Sequence, residues 1–190
     1  RAGAGALGDI GSHAEQLTRY ITGLELDSIF ADVTSFVPGR AIDDDASVLL
    51  RFKEKAGVMP KGVLVASQIA AGHLNDRRIR VFGETGSLEW RQETPNTLTV
   101  NGLDGPTRFL HRGDGGLCAE ARAASRLPPG HPEAFYEAFA NVYRGARLAI
   151  LGELHPEIDH PTIDDGVQGV RFINRCLECS SVDGSWVSID

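Results

Sequence analysis

The sequence is short of the residues that mark several function classes. It holds three cysteines in 190 residues, Cys118, Cys176 and Cys179. That number is odd and too small for a disulfide scaffold, so a reducing, cytoplasmic setting is expected. No run approaches the ~20 apolar residues that cross a bilayer, and no signal-peptide pattern opens the chain, so neither membrane nor secretion is expected. Positive charge is scarce: 19 Lys and Arg stand against 26 Asp and Glu, a net charge of −7. With no basic stripe, nucleic acid is not an expected partner. There is no internal repeat and no low-complexity tract.

What is present is ordinary globular composition, 42% apolar and 24% charged, with 22 Gly and 9 Pro. A chain of this length buries roughly 70% of its unfolded surface, enough for a core without staples. The sequence starts Arg1-Ala2-Gly3-Ala4-Gly5-Ala6, without an initiator methionine or a leading strand. It runs at once into its densest motif, which reads as the start of a fragment.

Ile10, Ala14, Leu17 and Ile21 form one apolar stripe, predicting a helix from Ile10 to Thr22 that Gly23 ends. A β-rich middle follows: Leu24–Val37, Ala46–Phe52, Gly62–Ala71, Arg78–Phe82, Ser87–Arg91, Leu98–Val100 and Arg108–Leu110. Nothing helical separates these runs, so an open, mostly antiparallel sheet is expected, in an α/β (α+β) fold. The tail is helical. Pro132 suits a first helical position, and Phe135, Phe139, Val142, Ala146 and Ala149 carry a stripe to about Leu151. Thr162-Ile163-Asp164-Asp165 reads as an N-cap, and Val167, Val170, Ile173 and Leu177 continue that helix. Ser185–Ile189 resembles a last short strand. Three helices are expected on one sheet face. The other face, with Val63, Val65, Ile79, Val81, Leu88 and Trp90, is expected to meet a partner copy.

Gly3-Ala4-Gly5-Ala6-Leu7-Gly8 matches G-x-G-x-x-G, with Glu25 or Asp27 as the acid such a motif requires. That fingerprint works only when a strand delivers the first glycine to a tight turn before a helix. Only Arg1 and Ala2 precede Gly3, so a close-approach loop is the preferred reading. The stronger signal is Asp9-Ile10-Gly11-Ser12-His13. Asp9 and His13 stand at i and i+4, with Gln16 and Tyr20 extending that face. A carboxylate beside an imidazole holds one tautomer and tunes its proton affinity. Gly11 would leave room for a ligand. The alternative is that Asp9 caps the helix and His13 packs.

Four segments carry a resemblance. Gly3–Gly23 resembles the "GGGxLxDxGxH" segment of the Gfo/Idh/MocA family, the glucose–fructose oxidoreductase and inositol dehydrogenase relatives. Val81–Asn96 resembles the family's "GxxGSLEW" hairpin, and Gly130–Arg144 its late helix. Thr162–Val187 resembles its closing "DGxxxxxxIxAxxxSxxxGxxV" segment. The resemblance spans essentially the whole chain. It implies the C-terminal domain of a two-domain enzyme whose N-terminal Rossmann domain binds NAD or NADP. By this resemblance 1–190 is one substrate-binding and oligomerisation domain.

Oxidising an alcohol removes a hydride from carbon and a proton from oxygen. A nicotinamide takes the first, and the protein manages the second. The resemblance makes His13 the acid/base and Asp9 its partner or a direct hydrogen-bonder of a sugar or polyol. Many relatives carry Asp where this chain has Gln16, a candidate substrate contact. The family's catalytic lysine belongs to its N-terminal half, and none of Lys53, Lys55 and Lys61 sits in such a motif. The isolated chain is therefore expected to be inactive. A non-catalytic binding or assembly module of the same fold is the alternative.

Gln68, His73 and Asn75 follow an apolar strand where a sugar could be gripped, and His131 could line the site. Each also has a structural reading. Arg40 with Asp43-Asp44-Asp45 either binds polar substrate or caps a turn. Cys176-Leu177-Glu178-Cys179 lacks a second pair for zinc and lies late in a helix, so core packing and surface thiols are expected and no metal. Trp90 and Trp186 read as core or interface anchors.

Overall fold

The computed structural model describes residues 3–153, 155–182 and 185–190. Arg1 and Ala2, which open the glycine run, and Asp183 and Gly184 of the closing motif lie outside the described residues. In chain order the elements are α1 (Ser12–Thr22), β1 (Leu26–Thr34), β2 (Asp45–Phe52), β3 (Lys61–Ser67), β4 (Arg78–Phe82), β5 (Gly86–Arg91), β6 (Thr97–Gly102), β7 (Arg108–His111), α2 (Ala119–Ala123), α3 (Phe135–Leu151), α4 (Ile163–Ser181) and β8 (Val187–Ser188). A π-helical turn, Leu7–Gly11, runs directly into α1.

The mixed α/β class with antiparallel strands is as expected from the sequence. The strands divide into two four-stranded sheets, ordered β3-β2-β1-β8 and β4-β5-β6-β7, rather than the one open sheet expected, so Val63 and Val65 lie in the first and Ile79, Val81, Leu88 and Trp90 in the second. The chain likewise divides into two compact units, Arg1–His73 with Ile163–Asp190, and Leu74–Thr162.

In the first unit, strict alternation decides which face of β2 goes inward. Ala46, Val48, Leu50 and Phe52 are buried, while Ser47, Leu49 and Arg51 point outward. Leu64 and Ala66 of β3 and Ile29 and Ala31 of β1 join the inner face. Leu7 of the π turn and Phe172, Cys176 and Cys179 of α4 complete the core. Full burial of each large apolar side chain there contributes about 1.5–3 kcal/mol. On α1, Ile10 (just before it) and Ala14 pack on this core, while Ile21 is exposed. On α4 the later half of the expected stripe, Ile173 and Leu177, packs on the core beside the more deeply buried Phe172, Cys176 and Cys179. Val167 and Val170 are exposed, because the helix turns positions 172, 176 and 179 towards β1.

The two buried cysteines have a packing role. β8 pairs β1 only at Ser28 and Ile29. Beyond it the β1 edge is closed by the end of α4: the Ala31 amide donates to Cys179 Sγ at 3.1 Å and the Val33 amide to Ser180 Oγ at 3.0 Å. An otherwise open strand edge is thereby satisfied. Burial drives the Cys176 thiol far above its ordinary pKa, with Cys179 and Glu15 adding to the effect, so it stays a thiol. Cys118 is exposed.

The second unit is a meander. Its register aligns Ile79, Trp90, Leu98 and Leu110 in one row and Val81, Leu88 and Val100 in the next. One face is thus apolar across β4, β5 and β6, and on β7 it carries Leu110 with Arg108. Trp90 anchors its loop by donating Nε1–H to the Pro95 carbonyl at 3.0 Å. Helix α3 starts at Phe135, three residues later than Pro132 suggests. Glu133 is drawn into other contacts, and the Glu137 carboxylate instead accepts the Ala134 amide at 2.9 Å. That bond holds the Glu137 carboxyl below its usual pKa. Among the described residues, no helix is long and apolar enough to cross a membrane.

Candidate functional site

The glycine run enters the fold by close approach to the loop before β2. The Asp43 carboxylate accepts the Gly5 amide at 2.6 Å and the Leu7 amide at 2.7 Å. The Asp43 carbonyl accepts the intervening Ala6 amide at 3.0 Å. A Cβ on Gly5 would lie 1.9 Å from that carbonyl oxygen, so only glycine fits. The amides that a dinucleotide pyrophosphate would need are therefore taken by a protein carboxylate, whose charge would also repel a phosphate. These residues do not fit a dinucleotide, and the run is a helix-start device.

Asp9 follows in the π turn, whose first carbonyl, Leu7, accepts the Ser12 amide five residues on. Such widened turns recur at functional sites. The extra residue alters the i, i+4 relation expected of Asp9 and His13, and among the described residues no hydrogen bond joins them. Asp9 Oδ2 instead accepts Gln68 Nε2 at a long 3.4 Å. Asp9, His13 and Gln68 are all exposed, and Gln16 is half-buried. Gly11 does not leave room for a ligand as expected. It is buried, and a Cβ there would meet Leu7 Cδ1 at 3.1 Å and Ala66 at 3.6 Å, so its smallness serves packing.

The strand side of the site is fixed by Asp44, which is completely buried. Its carboxylate accepts the Phe36 and Val37 amides at 2.8 and 3.0 Å and Arg40 Nη1 at 3.3 Å. The Phe36 amide is the largest cause holding this carboxyl below its usual pKa, with Val37 and Arg40 reinforcing it against burial. The Asp44 carbonyl accepts the Gln68 amide at 2.8 Å. Of the two readings of the acidic run, turn capping is the one the geometry displays for Asp43 and Asp44.

On its inner side α1 is tied to α4. Arg19 Nε meets Glu15 Oε1 at 3.1 Å, and Arg19 Nη1 meets Asp165 Oδ1 at 2.7 Å. Glu15 is 3% exposed. Burial, opposed by Arg19, raises its carboxyl above the ordinary range. The helix carrying His13 is therefore clamped at its core face while its polar face stays open.

Asp9, His13, Gln16, Gln68 and His73 belong to the first unit; Asn75 and His131 belong to the second. His73 and Asn75 are exposed. The His131 ring is also exposed, and its carbonyl is one of several that Arg112 gathers. Arg112 also donates to Leu127 at 2.9 Å, Pro128 at 3.3 Å, Glu133 Oε1 at 2.8 Å and Asn96 Oδ1 at 2.9 Å. Sequence reasoning missed this clamp and the helix-start role of Asp43. Gly5 was the available signal for the second, because an intolerant glycine implies backbone nearby.

Residues 1–89 match the sequence model described as the GFO/IDH/MocA C-terminal domain. The chain is 32% identical over 189 residues to an uncharacterized oxidoreductase, YfiI, of Bacillus subtilis, covering 95% of this chain and 47% of that protein. An oxidoreductase structure from Sinorhizobium meliloti is similar at 45% identity and TM-score 0.92, over 96% of this chain and 52% of that one. An inositol dehydrogenase homolog from Azotobacter vinelandii, complexed with NADH and myo-inositol, is similar at 32% identity and TM-score 0.83, over 96% of this chain and 49% of that one. The chain thus spans about half the length of these relatives.

Proposed function

Since the chain belongs to the GFO/IDH/MocA family, we propose that it is the substrate-binding and oligomerisation domain of an NAD(P)-dependent sugar or polyol dehydrogenase. In this reading the cofactor is held mainly by an N-terminal Rossmann domain, and 1–190 alone does not turn over. The engagement of this chain's glycine run by Asp43 supports that division.

The observation that carries the reading is the exposed polar face of a rigid helix start. His13 and Asp9 are open to solvent, while the same helix is fixed by Asp43 at its head and Arg19 on its inner side. His13 is the acid/base for the hydroxyl proton. Asp9, turned towards Gln68 rather than His13, hydrogen-bonds the substrate directly. Gln16, Gln68 and His73 supply further polar contacts, which suits a hydroxyl-rich molecule such as the myo-inositol bound by the Azotobacter relative.

Oligomerisation is proposed through the open face of the β3-β2-β1-β8 sheet. Leu49, Val63 and Val65 are 46%, 70% and 62% exposed there; Leu49 stands opposite Val63, and Val65 is two residues further along the same face, opposite Ser47. Such a row of outward apolar residues is what an interface core needs.

The test is His13→Ala in the full-length protein, assayed with NAD and NADP over a polyol panel. A fall in kcat of roughly 10²–10⁴, with nucleotide binding unchanged, is expected for loss of an acid/base. Unaltered kcat would remove His13 from the chemistry.

A further inference from the structure

Asp43 and Asp44 sit between two segments that the proposed site brings together. From the first segment, Gly5, Ala6 and Leu7 place their amides on Asp43, by two carboxylate bonds and one carbonyl bond. Asp9 begins two residues further on, and its amide bonds the Gly5 carbonyl at 2.9 Å. From the second segment, the Gln68 amide bonds the Asp44 carbonyl at 2.8 Å. One dipeptide therefore sets the height of Asp9 on one side and of Gln68 on the other, and their side chains meet at 3.4 Å.

Both carboxylates are spent on backbone amides. Asp43 is 8% exposed and Asp44 is 0% exposed, so neither is free to bind substrate. A charge-assisted bond to an amide is short and directional, which makes a buried carboxylate a stiff spacer. The π turn has no side-chain cap of its own. Its geometry is set from 36 residues away, by the Asp43 bond to Leu7.

We propose that Asp43 is a positioning residue of the substrate site, acting through the Gly5 and Leu7 amides to hold the Asp9 carboxylate against Gln68. This rests on the reading of Asp9 as a substrate hydrogen-bonder. An error of about 1 Å in such a group costs on the order of 100-fold in rate. Asp43→Asn keeps the size but turns one acceptor into a donor that faces an amide, so one of the two carboxylate bonds is lost.

The experiment is a double-mutant cycle in the full-length protein with Asp9→Asn and Asp43→Asn, reading kcat, the KM of the polyol, the pH profile of kcat/KM and the nucleotide Kd. We expect Asp43→Asn to lower kcat by about 10–100-fold, leave nucleotide Kd unchanged and alter the pH profile in the direction Asp9→Asn does. The double variant is then no slower than Asp9→Asn alone. Additive losses in the double variant overturn the positioning role while leaving Asp9 in place. A fully active Asp9→Asn protein overturns the role of Asp9, and the positioning role with it. Should Asp43→Asn not fold, Asp43→Ser, which accepts one amide at most, enters the same cycle under the same criteria.

Discussion

Replacing Gly5 by alanine isolates the contact on which the site is built. The new methyl group would stand 1.9 Å from the Asp43 carbonyl oxygen and 3.2 Å from Ile42 Cγ1. Ordinary contact begins near 3.4 Å, so the two backbones must separate by well over 1 Å. That separation breaks or stretches the bonds at 2.6, 2.7 and 3.0 Å between residues 5–7 and Asp43. Bonds to a charged acceptor contribute about 1.5–3 kcal/mol each, so a loss of about 3 kcal/mol or more is expected. For a domain of this size that lowers Tm by roughly 6 °C or more. Gly3→Ala is the control, since no atom lies within 4 Å of its added Cβ. It should stay within about 0.5 kcal/mol of the parent. Thermal unfolding gives the magnitude, and hydrogen exchange at the Leu7 amide locates it. A Gly5→Ala protein as stable as the parent, or a Gly3→Ala protein as damaged as Gly5→Ala, would refute the close-approach account of the glycine run.

The buried Glu15 carboxyl has a raised pKa, so its protonated form is favoured by the fold. Stability linked to it is complete below the unfolded value near 4.5 and is lost as pH rises through the folded value. Denaturant midpoints across that window should fall for the parent and stay flat for Glu15→Gln; parallel curves would contradict the assignment. Val63→Lys on the open sheet face should shift the full-length protein towards monomer in light scattering without changing its Tm by more than about 2–4 °C; an unchanged mass would remove that face as the interface. Arg112→Ala strips donors from the carbonyls of Leu127, Pro128 and His131 and takes the cation from Glu133, which is 6% exposed and keeps the Arg126 and Leu127 amides, so a loss of about 1.5–3 kcal/mol is expected. A loss under 1 kcal/mol would mean that the loop around His131 is held by something else.

Much of the architecture was legible because it is local. The alternation of β2 and the short runs of β4 to β7 placed the strands within a residue or two of their observed bounds. Gly23 closes α1 in the left-handed conformation, as its position implied. What was not legible depends on partners far along the chain. Asp43 looks like a solvated acid until Gly5, 38 residues away, is seen to donate to it. The relation of Asp9 to His13 was read with an α-helical period, and the π turn between them changes it. On α4, where Ile173 and Leu177 of the expected stripe do pack on the core, period alone could not choose between its Val167-Val170 end and the Phe172-Cys176-Cys179 face. The edge of β1, with amides needing acceptors at Ala31 and Val33, selects the second.

Asp9 and His13 are proposed to meet the hydroxyl that loses its proton. A crystal structure of the full-length protein with NADH and a bound polyol tests it directly. The account predicts one substrate hydroxyl within about 2.6–3.2 Å of the Asp9 carboxylate or the His13 imidazole. A substrate bound beyond the reach of both, even through one water, would contradict it.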